Sequence, residues 1–157
     1  MGGDDAFSQK VAGRFVNEKV VGFKKQTRKK KVFGTIKEKY IIPKGESAFL
    51  KPVVLLTNDQ TFSAADVLAL MMGSLPNATL IGEPSNGSYS DLYGKRLPNR
   101  WKVTLSNQRY YSTDMKNYEG VGTPVDIEVK NSLEDFNSEN DSVLLAALRF
   151  LGEQRSN

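Results

Sequence analysis

The stretch Pro52–Pro84, PVVLLTNDQTFSAADVLALMMGSLPNATLIGEP, constrains the fold of this chain more than any other. Val53–Leu56 is an unbroken apolar run of strand-forming residues, and Ala64–Met72 is apolar on nearly every side for more than two helical turns. Thr79–Ile81 then repeats the strand signal after a Pro-Asn turn. A strand without polar alternation is covered on both faces. The reading is therefore α/β: a buried, largely parallel sheet with flanking helices and a right-handed strand–helix–strand crossover. The helix is predicted over about residues 63–74, which places Ser63 where the exit loop of the first strand becomes the helix. A hydroxyl there faces the carboxyl edge of the sheet, beside unpaired backbone N–H groups and the positive end of the helix dipole. Taken alone, a serine at a helix start is more often a cap than a nucleophile. The small residues Ala64 and Ala65 shift that balance, because they let a substrate carbonyl approach the helix N-terminus.

At 157 residues the chain is the size of one domain, spanning 1–157, and its 39% hydrophobic and 25% charged content is that of an ordinary globular protein. The net charge of +4 is local, since Lys24, Lys25, Arg28, Lys29, Lys30 and Lys31 crowd into one short segment. Residues 24–31 read as an exposed basic loop between strand-like stretches at 19–23 and 31–36. No aromatic platform interleaves these cations and no nucleic-acid fold motif accompanies them, so a solvated loop is favoured over a nucleic-acid contact. The absence of cysteine excludes disulfides and thiolate metal sites, and neither a metal nor an organic cofactor is implied. No apolar run is long enough to span a membrane, and no signal peptide is evident. Histidine is absent altogether, so a complete Ser-His-acid triad cannot lie within these residues.

Elsewhere the pattern is coarser. Gly2 and Gly3 precede a helix that Asp4 or Asp5 can cap and whose Phe7, Val11 and Phe15 recur at helical spacing to about Val16. Such a glycine pair usually follows a strand, so the chain is expected to be N-terminally truncated. Ser85–Ser88 is a turn-forming loop at the carboxyl end of the second strand, so Gly87 and Ser88 are expected to face Ser63. Residues 89–93 and 100–105 are expected to pair across Pro98 and Asn99, with Trp101, Val103 and Leu105 on one face. Residues 109–112 and 125–129 read as strands. Between them Glu119 is the single acid of a glycine-rich loop, either solvated or orienting a base. Residues 131–140 read as a polar loop. Asp141 or Ser142 then caps a final helix, with Val143, Leu144, Ala147, Leu148 and Leu151 as its apolar stripe, that ends at Gly152.

TNDQTFSAADVLALMMGSLPNATLIGEPSNG resembles the core of peptidase family S41, the C-terminal processing or tail-specific serine peptidases. RYYSTDMKNYEGVGTPVDIEV looks like that family's Arg-Tyr-Tyr, Asp, Glu-Gly-x-Gly and Pro-Asp segment, and Gly2-Gly3 matches the end of its Arg-x-Asn-x-Gly-Gly loop. The resemblance spans roughly residues 1 to 130. It implies a crotonase-like or Clp-protease-like core, with Ser63 as the acylated nucleophile and the backbone N–H of Ala64 and of Gly2 or Gly3 as the oxyanion hole. There are departures. The lysine of the Ser-Lys branch would stand at Ser88, which cannot act as base. Glu119 occupies the acid position of the tricorn-like branch, whose histidine and second serine lie upstream of the Gly-Gly loop. Thr123-Pro124-Val125-Asp126 puts the proline one place early, and Asp66 replaces the commoner glutamate.

The resemblance thus implies the C-terminal catalytic domain of a tricorn-like serine endopeptidase, with peptide or protein substrates and with its base supplied by an upstream segment of the same polypeptide. It also implies a cell-envelope or secreted location in a bacterial parent, with homo-oligomers as a further option. A non-catalytic ligand- or peptide-binding module on the same fold is the alternative. A basic RNA-binding protein would rest on residues 24–31 alone.

Overall fold

The computed structural model describes residues 3–138 and 140–156. In chain order the elements are α1 (Asp5–Ala12), β1 (Val20–Lys29), β2 (Val32–Phe33), β3 (Lys37–Ile41), β4 (Val53–Thr57), α2 (Ala64–Met72) and β5 (Ala78–Gly82). They continue with β6 (Leu92–Arg96), β7 (Lys102–Ser106), β8 (Gln108–Tyr111), β9 (Ile127–Glu128), α3 (Leu133–Asn137) and α4 (Ser142–Ser156).

The apolar run and its echo form the expected parallel pair: β4 runs alongside β5 from Val53↔Ala78 to Thr57↔Gly82, with α2 as the crossover. Strand β9 extends this sheet in parallel beside β5. The pair is tied at its carboxyl end, where the Glu83 N–H donates to the Thr57 carbonyl at 3.0 Å and the Thr57 hydroxyl donates to the Glu83 carbonyl at 2.9 Å. Helix α2 lies between this sheet and a second, antiparallel one in which β1 pairs with β2, β3 and β8. Helix α4 packs on β4 and β5.

This layering explains why α2 is apolar nearly all round. Val67, Ala69 and Met71 are fully buried, and Leu70 and Met72 nearly so. They meet Phe23 and Ile41 from the antiparallel sheet and Leu80 from the parallel one. Phe23 stacks on Tyr110, with ring centroids 5.4 Å apart, and Tyr110 in turn stacks on Tyr89 at 5.9 Å.

Several expectations need correction. Residues 24–29 are not loop but the second half of β1, leaving only Lys30 and Lys31 in the turn before β2. Lys24 and Lys25 are paired on both sides, with β3 and β8, and cations rest on rings in this sheet: Lys25 Nζ is 4.6 Å from the Tyr110 centroid, and Arg109 is 4.0 Å from that of Phe33. Residues 131–140 are not simply a polar loop, because α3 falls inside them, capped by Ser132 and Asp135. The hairpin strand expected at 89–93 begins at Leu92, since Tyr89 turns into the core and is 2% exposed. Strand β4 is less covered than a two-sided burial implies, with Leu56 40% exposed. Helix α1 stops at Ala12 rather than Val16, and α4 continues past Gly152.

Truncating the helix side chain that both sheets enclose tests this layering. Met71→Ala is expected to destabilise the domain by about 2–5 kcal/mol, read from the shift of a urea unfolding midpoint. The same change at exposed Leu92 should cost far less.

Candidate active site

Ser63 is the N-cap of α2 and holds φ 60° and ψ −124°, one of only four described non-glycine residues with positive φ. Such a backbone costs on the order of 1–3 kcal/mol and persists only where its surroundings enforce it. The enforcing group is Asp66, one turn into the helix and fully buried. Its carboxylate accepts the Ser63 backbone N–H at 3.1 Å, the Ser88 N–H at 2.8 Å and the Gly87 N–H at 3.0 Å. The Ser63 N–H also donates to the Ser88 carbonyl at 3.0 Å. Asp66 thus clamps the serine turn to the 85–88 loop. A buried carboxylate is tolerated here because its lone pairs are met and it lies in the positive first turn of a helix.

Ser63 and Asp66 form a capping box, although the Ser63 hydroxyl does not close a full capping hydrogen bond in it. In that box the Asp66 carboxylate takes the Ser63 N–H, and the Ser63 hydroxyl is turned toward the Asp66 N–H. The following residue, Ala64, presents its backbone N–H at the first helical position, and no partner for that N–H is seen among the described residues. Its carbonyl accepts the hydroxyl of Ser8, a 7% exposed residue of α1, at 2.6 Å. This bond docks α1 beside the start of α2 and puts Gly3 five residues before the docking point. Gly3 is exposed, and a side chain there would meet nothing within 4 Å, so the backbone is open to a ligand. Gly2 lies outside the described residues.

Gly87 lies back to back with the glycine-rich loop. With φ 83°, it is held where a Cβ would come within 2.6 Å of the Gly122 nitrogen and 2.8 Å of the Tyr118 carbonyl oxygen. The Gly120 N–H donates to the Gly87 carbonyl at 2.8 Å. Beneath it, Ser85 and Thr123 exchange bonds: the Ser85 N–H reaches the Thr123 carbonyl at 3.2 Å and the Thr123 N–H reaches the Ser85 hydroxyl at 2.9 Å. The early proline therefore leaves this loop fully bonded. Tyr89 hydrogen-bonds Thr123, and burial pushes its phenol up to about 12, so it stays neutral at any physiological pH.

Glu119 is on the same edge as Ser63. Its carboxyl lies near the Tyr89 backbone N–H, one residue beyond Ser88, whose carbonyl accepts the Ser63 N–H. Desolvation raises the Glu119 carboxyl above its ordinary range; the Tyr89 N–H opposes this and the Asp66 charge adds to it. Glu119 borders a cavity of about 460 Å³ walled by Ser106, Gln108, Arg109, Tyr111 and Asn117. Ser88 is exposed, and its hydroxyl donates to Asn86. Lys95 is a residue of β6 opposite Val103.

The structure brings Ser63, Ala64, Gly87, Ser88 and Glu119 to one edge, and it adds two residues that sequence reasoning left without a role. Ser8 gave no signal. Asp66 did: an acid three residues after a serine, inside a helix otherwise apolar all round, is the mark of a capping box.

The strained serine thus stands at the carboxyl edge of the parallel sheet, where the exit loop of β4 becomes α2. The chain belongs to peptidase family S41, whose sequence profile matches residues 1–129. No curated protein sequence matches it. Among solved structures it is similar to a suspected peptidase from Parabacteroides merdae at 27% identity and a TM-score of 0.87, covering 96% of this chain and 48% of that one. It is also similar to mature CPAF in complex with lactacystin, at 13% identity and a TM-score of 0.80, covering 97% and 41%. Tricorn protease matches at 18% identity and a TM-score of 0.60, covering 94% and 14%. The chain therefore spans less than half the length of each of these three structures.

Removing the clamp should loosen the serine turn. Asp66→Ala leaves the Gly87 and Ser88 N–H groups unpaired, while the Ser63 N–H keeps the Ser88 carbonyl, and at about 1–3 kcal/mol for each donor left buried the cost should be comparable to that of Met71→Ala. Asp66→Asn, which retains one acceptor oxygen, should fall between it and the unmodified chain in a urea titration.

Proposed function

We propose that the chain is the catalytic domain of a tricorn-like S41 serine endopeptidase that cleaves peptide bonds through an acyl-enzyme on Ser63. The observation that carries this reading is the Ser63 turn itself: a strained backbone held by a buried carboxylate at a helix N-terminus, with the open Ala64 N–H next to the hydroxyl. Attack of the Ser63 Oγ on a substrate carbonyl forms a tetrahedral oxyanion at the Ala64 N–H, with the N–H of Gly3, or of Gly2, as second donor. Collapse expels the amine and leaves the acyl-enzyme, which water then hydrolyses. The base is a histidine from another part of the intact polypeptide, because these residues hold none and Ser88 stands where a dyad lysine would be. Glu119 orients that histidine through a second serine. Its raised carboxyl, beside Asp66, suits a group that must share an edge with another acid. An envelope or secreted location of the parent follows from the family resemblance. Among the described residues no helix is long and apolar enough to cross a membrane.

The absence of both histidine and a dyad lysine also favours a second reading, a peptide-binding module that does not cleave. Kinetics of the intact polypeptide separate the two. Ser63→Ala should lower kcat/KM by about a thousandfold or more, and Glu119→Gln should lower kcat with little change in KM. Hydrolysis undiminished by Ser63→Ala removes Ser63 as nucleophile, and an intact polypeptide that binds peptide without turnover establishes the binding module. The 157-residue chain alone should hydrolyse peptides several orders of magnitude more slowly than the intact polypeptide. Robust turnover by the chain that disappears with Lys95→Ala would replace the tricorn-like mechanism with a relocated Ser-Lys dyad.

A further inference from the structure

The β6–β7 hairpin leaves the body of the protein directly after the site loop. The Ser90 hydroxyl at its base accepts the Gln108 N–H at 3.2 Å, and Asp91 pairs with Lys25 at 3.1 Å. Beyond that anchor the two strands pair only with each other. Their register sorts the side chains into two faces. Tyr93 faces Leu105 and Lys95 faces Val103, and the Leu97 N–H bonds the Trp101 carbonyl, so Tyr93, Leu97, Trp101, Val103 and Leu105 share one face with Lys95. Trp101 is 71% exposed and Leu105 64%, an unusual outlay of apolar surface. Arg96 and Lys102 are paired on the opposite face, which also carries Leu92 at the hairpin base, with Arg100 in the turn. From Leu92 to Arg109 there are five cations and no acid, and none of Lys95, Arg96, Arg100 and Lys102 takes part in an ion pair among the described residues.

We propose that this hairpin is a docking strand for an extended polypeptide segment in which apolar and acidic residues alternate. A third strand added to a free hairpin edge satisfies its unpaired N–H and C=O groups, and its side chains alternate between the two faces. Apolar residues of the guest then extend the Tyr93–Leu105 face, while acidic ones meet Arg96 and Lys102. A lipid surface would leave the edge groups unsatisfied in hydrocarbon. A second copy of the hairpin would set like charges against each other. Because the hairpin springs from the residues next to Ser88, whose carbonyl accepts the Ser63 N–H, a guest held there is brought to the nucleophile edge. Its use in capturing substrate rests on the peptidase reading, but binding itself does not.

Trp101 is the sole tryptophan of the chain and reports the event directly. The 157-residue chain is titrated, by tryptophan emission, with blocked peptides Leu-Glu-Phe-Glu-Leu-Glu, Leu-Lys-Phe-Lys-Leu-Lys and Leu-Phe-Leu-Glu-Glu-Glu, and with phosphatidylglycerol vesicles. The alternating acidic peptide should give a saturable blue shift, with affinity about tenfold or more above the other two peptides, falling as salt rises. The double variant R96E/K102E, checked for unchanged circular dichroism, should lose that preference. A fluorescent version of the same peptide, followed by anisotropy, should bind Trp101→Ser more weakly. Equal affinity for all three peptides, a shift with vesicles alone, or a shift that appears on concentrating the chain without peptide overturns the proposal. None of these measurements requires turnover, so failure of the catalytic assignment leaves them readable.

Discussion

The carboxylate of Asp66 is the interaction on which the rest of the site depends. It is fully buried, yet it spends its lone pairs on backbone N–H groups from the serine turn and the following loop rather than on another side chain. A carboxylate in that position holds Ser63 in a conformation that it would otherwise leave. It also brings the second strand's exit loop against the helix start, which in turn fixes where Gly87 meets the glycine-rich loop of Glu119. A single buried charge thereby joins three separate stretches of sequence at one sheet edge.

That charge is secured by the helix that carries it. Helix α2 lies between two sheets, and its apolar circumference is what allows both to close over it. Ser8 adds a tie from α1 to the first helical carbonyl, so the open backbone near Gly3 and the serine turn are referenced to one rigid element. Such positioning matters for acyl transfer, because donors aimed at a developing oxyanion act only when they need not reorganise.

The parts of this arrangement that were legible in the sequence are those with a continuous physical signal. Val53–Leu56 and Ala64–Met72 have no polar interruption, and the parallel pair and its crossover helix followed directly. Residues 24–29 misled because charge was read as solvation. In β1 the Lys25 ammonium bonds the buried Tyr110 hydroxyl at 2.7 Å and lies against its ring, so the strand accommodates a cation that local composition assigns to a loop. Helix α3 was hidden for a different reason: it has five residues and no buried side chain, and its only signal is the Ser132–Asp135 capping pair. Tyr89 looked like a strand residue, but its ring is drawn into the stack with Tyr110, and this delays the hairpin to Leu92. For Glu119 the residues alone left a solvated acid open and only the family resemblance set it near Ser63; its loop meets the 85–88 loop at Gly87, through contacts between residues far apart in the chain.

The central claim is that the strained serine at the start of α2 is the residue acylated during peptide cleavage. The most direct measurement is to treat the intact polypeptide with a fluorophosphonate and to locate the adduct by peptide mass spectrometry. The account predicts one modification, on Ser63, that is lost in Ser63→Ala and sharply slowed in Asp66→Asn. An active polypeptide labelled at a different serine, or labelled equally well after Ser63→Ala, would contradict it.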